Sequence, residues 1–321
     1  MPHDSILRWW RRVYWLKRDF KVLPTLLSSG PMLYAARGGI GDELLTTALT
    51  KVICEQSHSP VTVFTRYPAL FDNNPSVRKT FPADDRVLAA ADVWHRLISR
   101  PFGWQPDLDD DRQVPPSDHI LAEKARAAEL TDEHALRPYL YLRSEELARA
   151  RADIGSTALT LQTTGVAAQW HMANKEWGVE RFQSLLPLLP SHLSVVQVGN
   201  TSDPLLSGAI DRRGASFRES AAYLQVSQVF VGLVGFLMHL ARAVNRRSVI
   251  IYGGREHPQQ SGYPGNENLF TTPPCSPCWQ KSRCDYHRVC LSRITPEQVA
   301  EAVHRALEAY TSPLPTSTFR L

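Results

Sequence analysis

Two kinds of hydrophobic pattern alternate along the first part of the chain. The apolar segment MLYAA follows Pro31 and precedes the glycine-rich sequence GGIGD, and a helical stretch then runs to about Gln56 before the β-rich VTVFT at 61–65. Short apolar runs predict buried strands, whereas apolar positions three and four residues apart predict a helix. This order predicts a strand, a tight turn, a helix and a strand, which is the unit of a parallel α/β sheet.

The same alternation of predicted strands and helices occurs in the second half, after a predicted helix from about Ser144 to Ala152. Four strands are predicted here, near 157–162, 193–199, 228–233 and 248–254. Three helices are predicted between these strands, at 179–189, 218–226 and 236–245. A last amphipathic helix begins at Thr295-Pro296.

These two series predict an α/β protein with two Rossmann-like domains that face each other across a cleft. The predicted organisation is an N-terminal helix at 1–30, a first domain at 31–150 and a second domain at 151–312. Ligands bind beyond the carboxyl ends of the strands in such sheets, so both glycine-rich turns should open onto the cleft. No ordered structure is predicted after Ser312.

Charge is concentrated at the N-terminus. The formal net charge is +4, and residues 1–21 alone carry six Lys/Arg against two Asp, so the remainder is near neutral and a nucleic-acid-binding surface is not expected. The longest apolar run, Val229 to Met238, is too short to span a bilayer. Because no secretory signal is visible either, we expect a cytoplasmic protein.

The N-terminal residues form an amphipathic helical pattern. One face holds apolar and mostly aromatic residues, namely Ile6, Trp9, Trp10, Val13, Leu16 and Phe20. The other face holds Arg8, Arg11, Arg12 and Arg18. Such a helix suits the surface of the inner membrane, with its rings at the headgroup level and its arginines near anionic lipid. A helix that docks on the protein's own body is an equally good interpretation.

The sequence GGIGD has the features of a ligand-binding turn. Gly38, Gly39 and Gly41 let the backbone turn sharply and let a ligand approach it, while a helix N-terminus offers unpaired amides to an anion. The spacing differs from the GxGxxG of dinucleotide enzymes, which argues against a nicotinamide-dependent oxidoreductase. Asp42 has two interpretations, as the N-cap of the helix or as the acceptor of a proton from a bound substrate.

Two further stretches are candidates for binding phosphate. In the second half, a strand runs into the Gly232–Gly235 turn, and His239 falls in the first turns of the following helix, where amides could hold a diphosphate. A histidine packed in the core is the alternative. Lys175 precedes a helix in NKEWGVERF and suits a phosphate, although an ordinary surface lysine is the alternative.

Four stretches in order resemble one known family, over roughly residues 31–310. They are ARGGIGDELLTTAL, NKEWGVERF, the segment from MHLARAV to IIYGG, and the late cysteine-containing stretch that ends in ITPEQVAEAV. The chain is similar in these to the ADP-heptose:lipopolysaccharide heptosyltransferases, which form glycosyltransferase family 9 and have the GT-B fold. The resemblance implies an enzyme of this fold.

The resemblance also implies roles for single residues. Asp42 matches the acid proposed to deprotonate the acceptor hydroxyl, beside the acceptor-side glycines Gly38, Gly39 and Gly41. Lys175 matches a lysine that contacts donor phosphate, although the family's following Trp-Pro is Trp177-Gly178 here. The donor side is further implied to include Thr163, Thr164, His239 and the turn with Gly232 and Gly235.

The chain departs from the family before His239. Where the family has Asp, then Ser or Thr, then Gly, this chain has Val234, Gly235 and Phe236. An acid and a hydroxyl are lost, so the donor is either a different nucleotide sugar or the same one in a rebuilt loop. No catalytic metal is implied.

Four cysteines follow the second glycine turn in the pattern C-x2-C-x5-C-x5-C, at Cys275, Cys278, Cys284 and Cys290. A set that begins with CxxC is typical of one tetrahedral metal ion, zinc or iron, and four thiolates would close its coordination, so the metal would be structural. Unligated thiols are the alternative.

Taken together, the sequence predicts an inverting glycosyltransferase that moves a heptose-like sugar from a nucleotide diphosphate, ADP-heptose in the family, to a lipopolysaccharide-type or other glycan, lipid-linked or protein acceptor. The alternative is a non-catalytic binding or scaffold protein on a decayed GT-B fold, which the change at 234–236 motivates.

Overall fold

The computed structural model describes residues 30–36, 38–83, 102–103, 118–168 and 171–320. The predicted N-terminal helix at 1–30 therefore lies outside the described residues, apart from Gly30. Within the described ranges, no helix has the length and apolar character needed to cross a membrane.

The first half of the chain contains a parallel sheet of four strands in the order β3-β2-β1-β4. Its strands are β1 (Met32–Tyr34), β2 (Val61–Thr65), β3 (Val77–Pro82) and β4 (Phe102–Gly103). The helices of this half are α1 (Ile40–Leu45), α2 (Thr47–Ser57) and α3 (Ile120–Ala127). Strand β2 is buried along its whole length, as its unbroken apolar and β-branched sequence predicts.

The predicted long helix after the glycine turn is two helices, α1 and α2, that meet at Thr46. The hydroxyls of Thr46 and Thr47 donate to the carbonyls of Glu43 and Leu44, at 2.5 and 2.6 Å. Threonine hydroxyls that bond nearby carbonyls compete with the helical hydrogen bonds, which explains the break.

The second half contains a parallel sheet of six strands in the order β11-β10-β9-β6-β7-β8. Between the two sheets along the chain come β5 (Glu133–Leu136) and α4 (Ser144–Ile154). The strands of the second sheet are β6 (Ala158–Leu161), β7 (Ser194–Gly199), β8 (Ile210–Arg213), β9 (Val229–Leu233), β10 (Ser248–Gly253) and β11 (Glu267–Phe270). Its helices are α5 (Val179–Leu185), α6 (Phe217–Val226), α7 (Phe236–Ala243), α8 (Pro258–Ser261), α9 (Val289–Ser292) and α10 (Pro296–Glu308).

The predicted inner strands and helices of this half are confirmed within a few residues. The edge strands β8 and β11 were not predicted, because their sequences IDRR and ENLF are largely polar and give no apolar run. The expectation of no order after Ser312 is wrong, since a last strand β12 (Ser317–Arg320) pairs antiparallel with β5. The C-terminal residues thus return to the first half.

The two halves share part of one hydrophobic core. Helix α1 of the first half packs against α7 of the second, and buried side chains from both sides, such as Leu45 and Leu240, belong to the same cluster. A second cluster fills the other face of the six-stranded sheet, around Trp177 and α10. The shared core brings the glycine turn before α1 opposite the turn before α7.

Candidate functional site

A cavity of about 630 Å³ lies between the two halves, where the carboxyl ends of strands from both sheets meet. Seven residues predicted from the sequence line it, namely Gly39, Gly41, Asp42, Thr164, Lys175, Gly235 and His239. The cavity therefore lies where the sheet topology places ligands in such folds.

Asp42 is held at the rim of the cavity by two polar contacts. Helix α1 begins at Ile40 with Gly39 at its N-cap, so the interpretation of Asp42 as the N-cap residue is corrected. Asp42 is the third helical residue, and its Oδ2 accepts a hydrogen bond from the Gly39 backbone at 3.0 Å. Its Oδ1 lies 3.2 Å from Nζ of Lys124 in α3. Because 20% of the Asp42 side chain is exposed, the carboxylate is both paired and accessible.

The buried side chain of Glu43 stabilises the glycine turn. Glu43 accepts hydrogen bonds from the Thr65 hydroxyl at 2.5 Å and from Nε of Arg66 at 2.9 Å. Burial raises the pKa of Glu43, and the bonds from Thr65 and Arg66 oppose that rise. The Arg66 guanidinium also donates to the Gly38 carbonyl. Gly38 has φ +73°, and a Cβ there would overlap the Asp42 carboxylate, so this position requires glycine.

On the opposite wall, Lys175 belongs to a compact charged group. Its Nζ lies 2.7 Å from Oε1 of Glu256, and Nη1 of Arg255 lies 3.2 Å from the same oxygen. The Ser261 hydroxyl donates to Oε2 of Glu256 at 2.8 Å. Burial would raise the pKa of Glu256, but the charges of Lys175 and Arg255 and these hydrogen bonds outweigh it and lower the pKa to about 2. Two cations, Lys175 and Arg255, thus contact one carboxylate at this wall of the cavity.

His239 lies in α7 between these two walls. It is buried, with 7% exposure, and its Nδ1 lies 2.6 Å from the Tyr263 hydroxyl. Burial lowers the pKa of His239 to about 4, although the nearby charges of Glu256 and Asp42 oppose the shift. The imidazole is therefore neutral at physiological pH and serves as a hydrogen-bonding group rather than a cation.

The two predicted threonines have different environments. Thr163 is fully buried, and its hydroxyl accepts a hydrogen bond from Nε2 of Gln197 at 3.3 Å. Thr164 lines the cavity, and its hydroxyl accepts from the backbone of Val166 at 3.1 Å. Thr163 thus lies in the core behind the wall that Thr164 forms.

The two glycines predicted for the second turn, Gly232 and Gly235, also have different environments. Gly232 lies inside β9, where a Cβ would collide with the ring of Phe230. Gly235 is the N-cap of α7 and lines the cavity. Gly41 packs closely against α7, since an added Cβ would lie 3.7 Å from Cα of Phe236, the first residue of that helix. The helix start thus lies directly opposite the first glycine turn.

The cysteine segment packs against Gly254, which follows β10, and against Asn174, which precedes Lys175. The backbone of Cys278 donates to the Gly254 carbonyl at 3.0 Å, and the side chain of Asn174, next to Lys175, donates to the Gln280 carbonyl at 2.9 Å. All four thiols of the segment are free and partly exposed.

These thiols do not form a ready-made metal site. Burial raises the pKa of Cys290, and the neighbouring Cys278 and Cys284 add to the rise. Within the part of the chain that the structure describes, no three His, Cys, Asp or Glu side chains are arranged to hold a metal ion. The geometry therefore does not by itself fit the predicted zinc or iron.

Several charged residues of the site were missed from the sequence. Arg255 and Glu256 come just after β10 and Gly254, so their position near a strand end was an available signal. Lys124 lies on the same face of α3 as Leu121, an apolar position, and a lysine there is unusual unless it is paired. Glu43 gave no signal, because only the folded chain brings Thr65 and Arg66 to it.

The fold is that of bacterial heptosyltransferases of known structure. ADP-heptose LPS heptosyltransferase II of E. coli matches with a TM-score of 0.64 at 15% identity, over 87% of this chain and 98% of that one. A glycosyl transferase family 9 protein of Veillonella parvula matches with a TM-score of 0.66 at 16% identity, over 87% of this chain and 97% of that one.

The iron-containing dodecameric glycosyltransferase TibC of enterotoxigenic E. coli matches with a TM-score of 0.61 at 16% identity, over 88% of this chain and 77% of that one. A further structure of TibC is a complex with ADP-D-β-D-heptose. The resemblance stated from the sequence is thus confirmed at the level of the fold, as is the two-part α/β fold class. No protein-family profile and no curated protein sequence matches the chain.

Proposed function

We propose that the protein is an inverting glycosyltransferase that moves a heptose-like sugar from a nucleotide diphosphate donor to an acceptor hydroxyl. The observation that carries the proposal is one cavity with Asp42 on one wall, Lys175 on the other and His239 between them. Its volume of about 630 Å³ is in the range of small-molecule sites. A carboxylate facing a phosphate-binding wall is what sugar transfer from a diphosphate needs.

The wall formed by the second half is suited to the donor diphosphate. Lys175 and Arg255 bring two cations to this wall around Glu256, and Gly235, Phe236 and Leu237 at the start of α7 line the same cavity. The neutral His239 adds a hydrogen-bonding group. These groups would stabilise the negative charge that grows on the diphosphate as it leaves, and no catalytic cofactor is needed for that role.

Asp42 would act as the general base. The acceptor oxygen forms a bond to the anomeric carbon while the bond from that carbon to the diphosphate oxygen breaks. The acceptor proton passes to Asp42, and the electron pair leaves with the nucleoside diphosphate. One displacement inverts the configuration at the anomeric carbon.

The donor is proposed to be ADP-heptose. The support is the fold shared with heptosyltransferase II and with TibC, whose complex contains ADP-D-β-D-heptose. The acceptor is proposed to be a lipopolysaccharide-type or other glycan, or a protein. The departure at 234–236 supports the competing proposal of a non-catalytic binding or scaffold protein, which would bind no nucleotide sugar.

The test is a calorimetric titration of ADP and ADP-heptose, with UDP and GDP sugars in parallel. Lys175→Ala and His239→Ala should weaken ADP binding about ten-fold each, since each removes one polar contact worth about 1.4 kcal/mol. Lys51→Ala is the matched control, because Lys51 also forms a Lys–Glu pair but on the exposed surface. Unchanged ADP affinity in both cavity variants would refute the assigned donor wall, and no nucleotide binding at all would favour the scaffold.

A further inference from the structure

The hydrogen bond between His239 and Tyr263 orients the histidine ring relative to the cavity. Nδ1 of His239 and the hydroxyl of Tyr263 are 2.6 Å apart, and the two rings meet edge to face with centroids 5.7 Å apart. We propose that Tyr263 is a positioning residue: it holds His239 as the tautomer with hydrogen on Nε2, so that Nε2 donates to a diphosphate oxygen of the donor. This inference rests on the proposed function.

The direction of the bond follows from counting hydrogens. Burial keeps both groups neutral, because it lowers the pKa of His239 to about 4 and raises that of Tyr263 well above its ordinary value. The pair therefore has one phenolic hydrogen and one imidazole hydrogen. In the described part of the chain, His239 is the one hydrogen-bond partner of the Tyr263 hydroxyl.

Only one of the two possible arrangements leaves no buried hydrogen without an acceptor. If Nδ1 carried the imidazole hydrogen, it would donate to the phenol, and the phenol's own hydrogen would be buried without a partner, which costs free energy. If the phenol donates to Nδ1, both groups are satisfied and Nε2 keeps the hydrogen. The tyrosine thus selects the tautomer.

Tyr263 is itself held in place from the first half of the chain. His119, at the N-cap of α3, accepts from the Leu121 backbone through Nδ1 at 3.1 Å and donates from Nε2 to the Gly262 carbonyl at 2.9 Å. Gly262 immediately precedes Tyr263. The Arg242 guanidinium lies 6.0 Å from the centroid of the tyrosine ring on another side. The tyrosine therefore has little freedom to turn its hydroxyl away from His239.

The free edge of the imidazole faces the reacting region. Cδ2 of His239, which is bonded to Nε2, lies 4.0 Å from where a Cβ on Gly41 would be. The charges of Asp42 on one side and of Glu256 and Lys175 on the other act on the ring. A neutral N–H at this position donates a hydrogen bond to phosphate without a buried positive charge having to form.

The test compares two tyrosine-to-phenylalanine variants. Tyr263→Phe removes the hydroxyl but keeps the ring, and Tyr252→Phe is the matched control. Tyr252 is equally buried, but its hydroxyl lies 3.4 Å from the Met238 sulfur and the Ser261 hydroxyl. Imidazole nitrogen NMR of the free protein, with the His239 signals assigned from a His239→Asn variant, reports the tautomer directly.

We expect the wild type and Tyr252→Phe to give a single Nε2–H form of His239 and Tyr263→Phe to give a mixture of tautomers. ADP affinity should fall about five- to ten-fold in Tyr263→Phe, and Tyr252→Phe should bind as the wild type does. In a double-mutant cycle, Tyr263→Phe should cost nothing further in the His239→Asn background, because its effect passes through the histidine.

The outcomes separate this inference from the proposed function. Normal ADP binding with an unchanged His239 tautomer in Tyr263→Phe would overturn the role of Tyr263 alone. An equal loss of affinity from Tyr263→Phe in the wild-type and His239→Asn backgrounds would show that the tyrosine acts structurally, and would also overturn the inference. A wild-type protein that binds no nucleotide diphosphate would overturn the proposed function, and the NMR comparison would still decide the tautomer.

Discussion

Asp42 and Lys124 form an ion pair between α1 and α3 in the first half of the chain, with Nζ of the lysine 3.2 Å from Oδ1 of the aspartate. The lysine side chain is 1% exposed and the aspartate side chain 20%. The candidate base is thus joined to a buried ammonium as well as to the glycine turn. This arrangement gives Asp42 a structural role in addition to its proposed chemical one, and substitutions can separate the two.

Asp42→Asn should reduce both turnover and stability. Loss of the base should lower turnover by about 10² to 10⁴. The substitution also takes the carboxylate away from buried Lys124, which should cost up to about 3 kcal/mol in the free energy of unfolding. Urea unfolding and a turnover assay with ADP-heptose measure the two effects.

The double substitution Asp42→Asn with Lys124→Met is the control for that experiment. It removes both charges, so most of the lost stability should return while turnover stays low. Turnover near that of the wild type in the double variant would mean that Asp42 is structural only.

Gly38→Ala should disturb Asp42 more than backbone strain alone explains. Gly155 is a matched control, because it has the same φ of +73° but has no atom within 4 Å of the position that an added Cβ would take, whereas at Gly38 that position overlaps the Asp42 carboxylate. Gly155→Ala should cost about 1 to 3 kcal/mol from backbone strain, because φ 73° with ψ −175° is a conformation that essentially only glycine adopts. Gly38→Ala should cost more and also lower turnover. Equal stability losses with normal turnover would contradict the assigned packing.

Glu256 should make stability depend on pH in the acid range. Its pKa is lowered from 4.5 to about 2, since Lys175 and Arg255 outweigh the effect of burial. Below pH 4.5 the unfolded chain binds a proton that the folded chain does not, so this stabilisation is present above pH 4.5 and is lost as the pH falls towards 2. One such group contributes up to about 1.4 kcal/mol per pH unit.

The contribution of Glu256 is measured from the unfolding free energies of the wild type and Glu256→Gln at pH values from neutral down to about 2. The variant should show a shallower decline and lower stability at neutral pH. Glu55→Gln, which alters a surface pair with 61% exposure of the glutamate, should decline as the wild type does. A decline in Glu256→Gln as steep as that of the wild type would contradict the prediction.

The spacing of the cysteine segment predicts one structural zinc or iron ion, whereas the arrangement of its thiols in the folded chain does not form a metal site. If the spacing decides, elemental analysis finds one equivalent per chain, and a chelator exposes four further reactive thiols. Cys54→Ser should keep the metal, because Cys54 lies in α2, whereas Cys278→Ser should lose it. Protein without metal and with five titratable thiols would leave the segment as an ordinary loop.

The basic and aromatic N-terminal sequence is predicted to bind a membrane surface. The full chain should sediment with anionic vesicles, and a chain that begins at Leu23 should not, because it lacks the residues that carry the net charge of +4 at 1–21. Neutral vesicles are the control. Equal binding of the two chains to anionic vesicles would favour a helix that docks on the protein itself.

The sequence by itself determined the central elements of the fold. The inner strands β2, β6, β9 and β10 consist mainly of apolar and β-branched residues, and they are buried along their whole length because both faces of a parallel sheet are covered. The glycine turn and the start of α7 follow from local backbone chemistry. Local pattern therefore predicted that Asp42, Lys175 and His239 lie at or near helix starts, and in the folded chain all three line one cavity.

Only the tertiary structure decided which groups act on those residues. The partners of Asp42, Lys175 and His239 are Lys124, Glu256 and Tyr263, each at least 24 positions away along the chain. Burial and long-range contact set the charge of Glu256 and the neutrality of His239, and neither leaves a mark in local sequence. The spacing of apolar residues indicates which face of a helix or strand is buried. The charge state of a residue depends on which groups pack against it, and only the folded chain determines those.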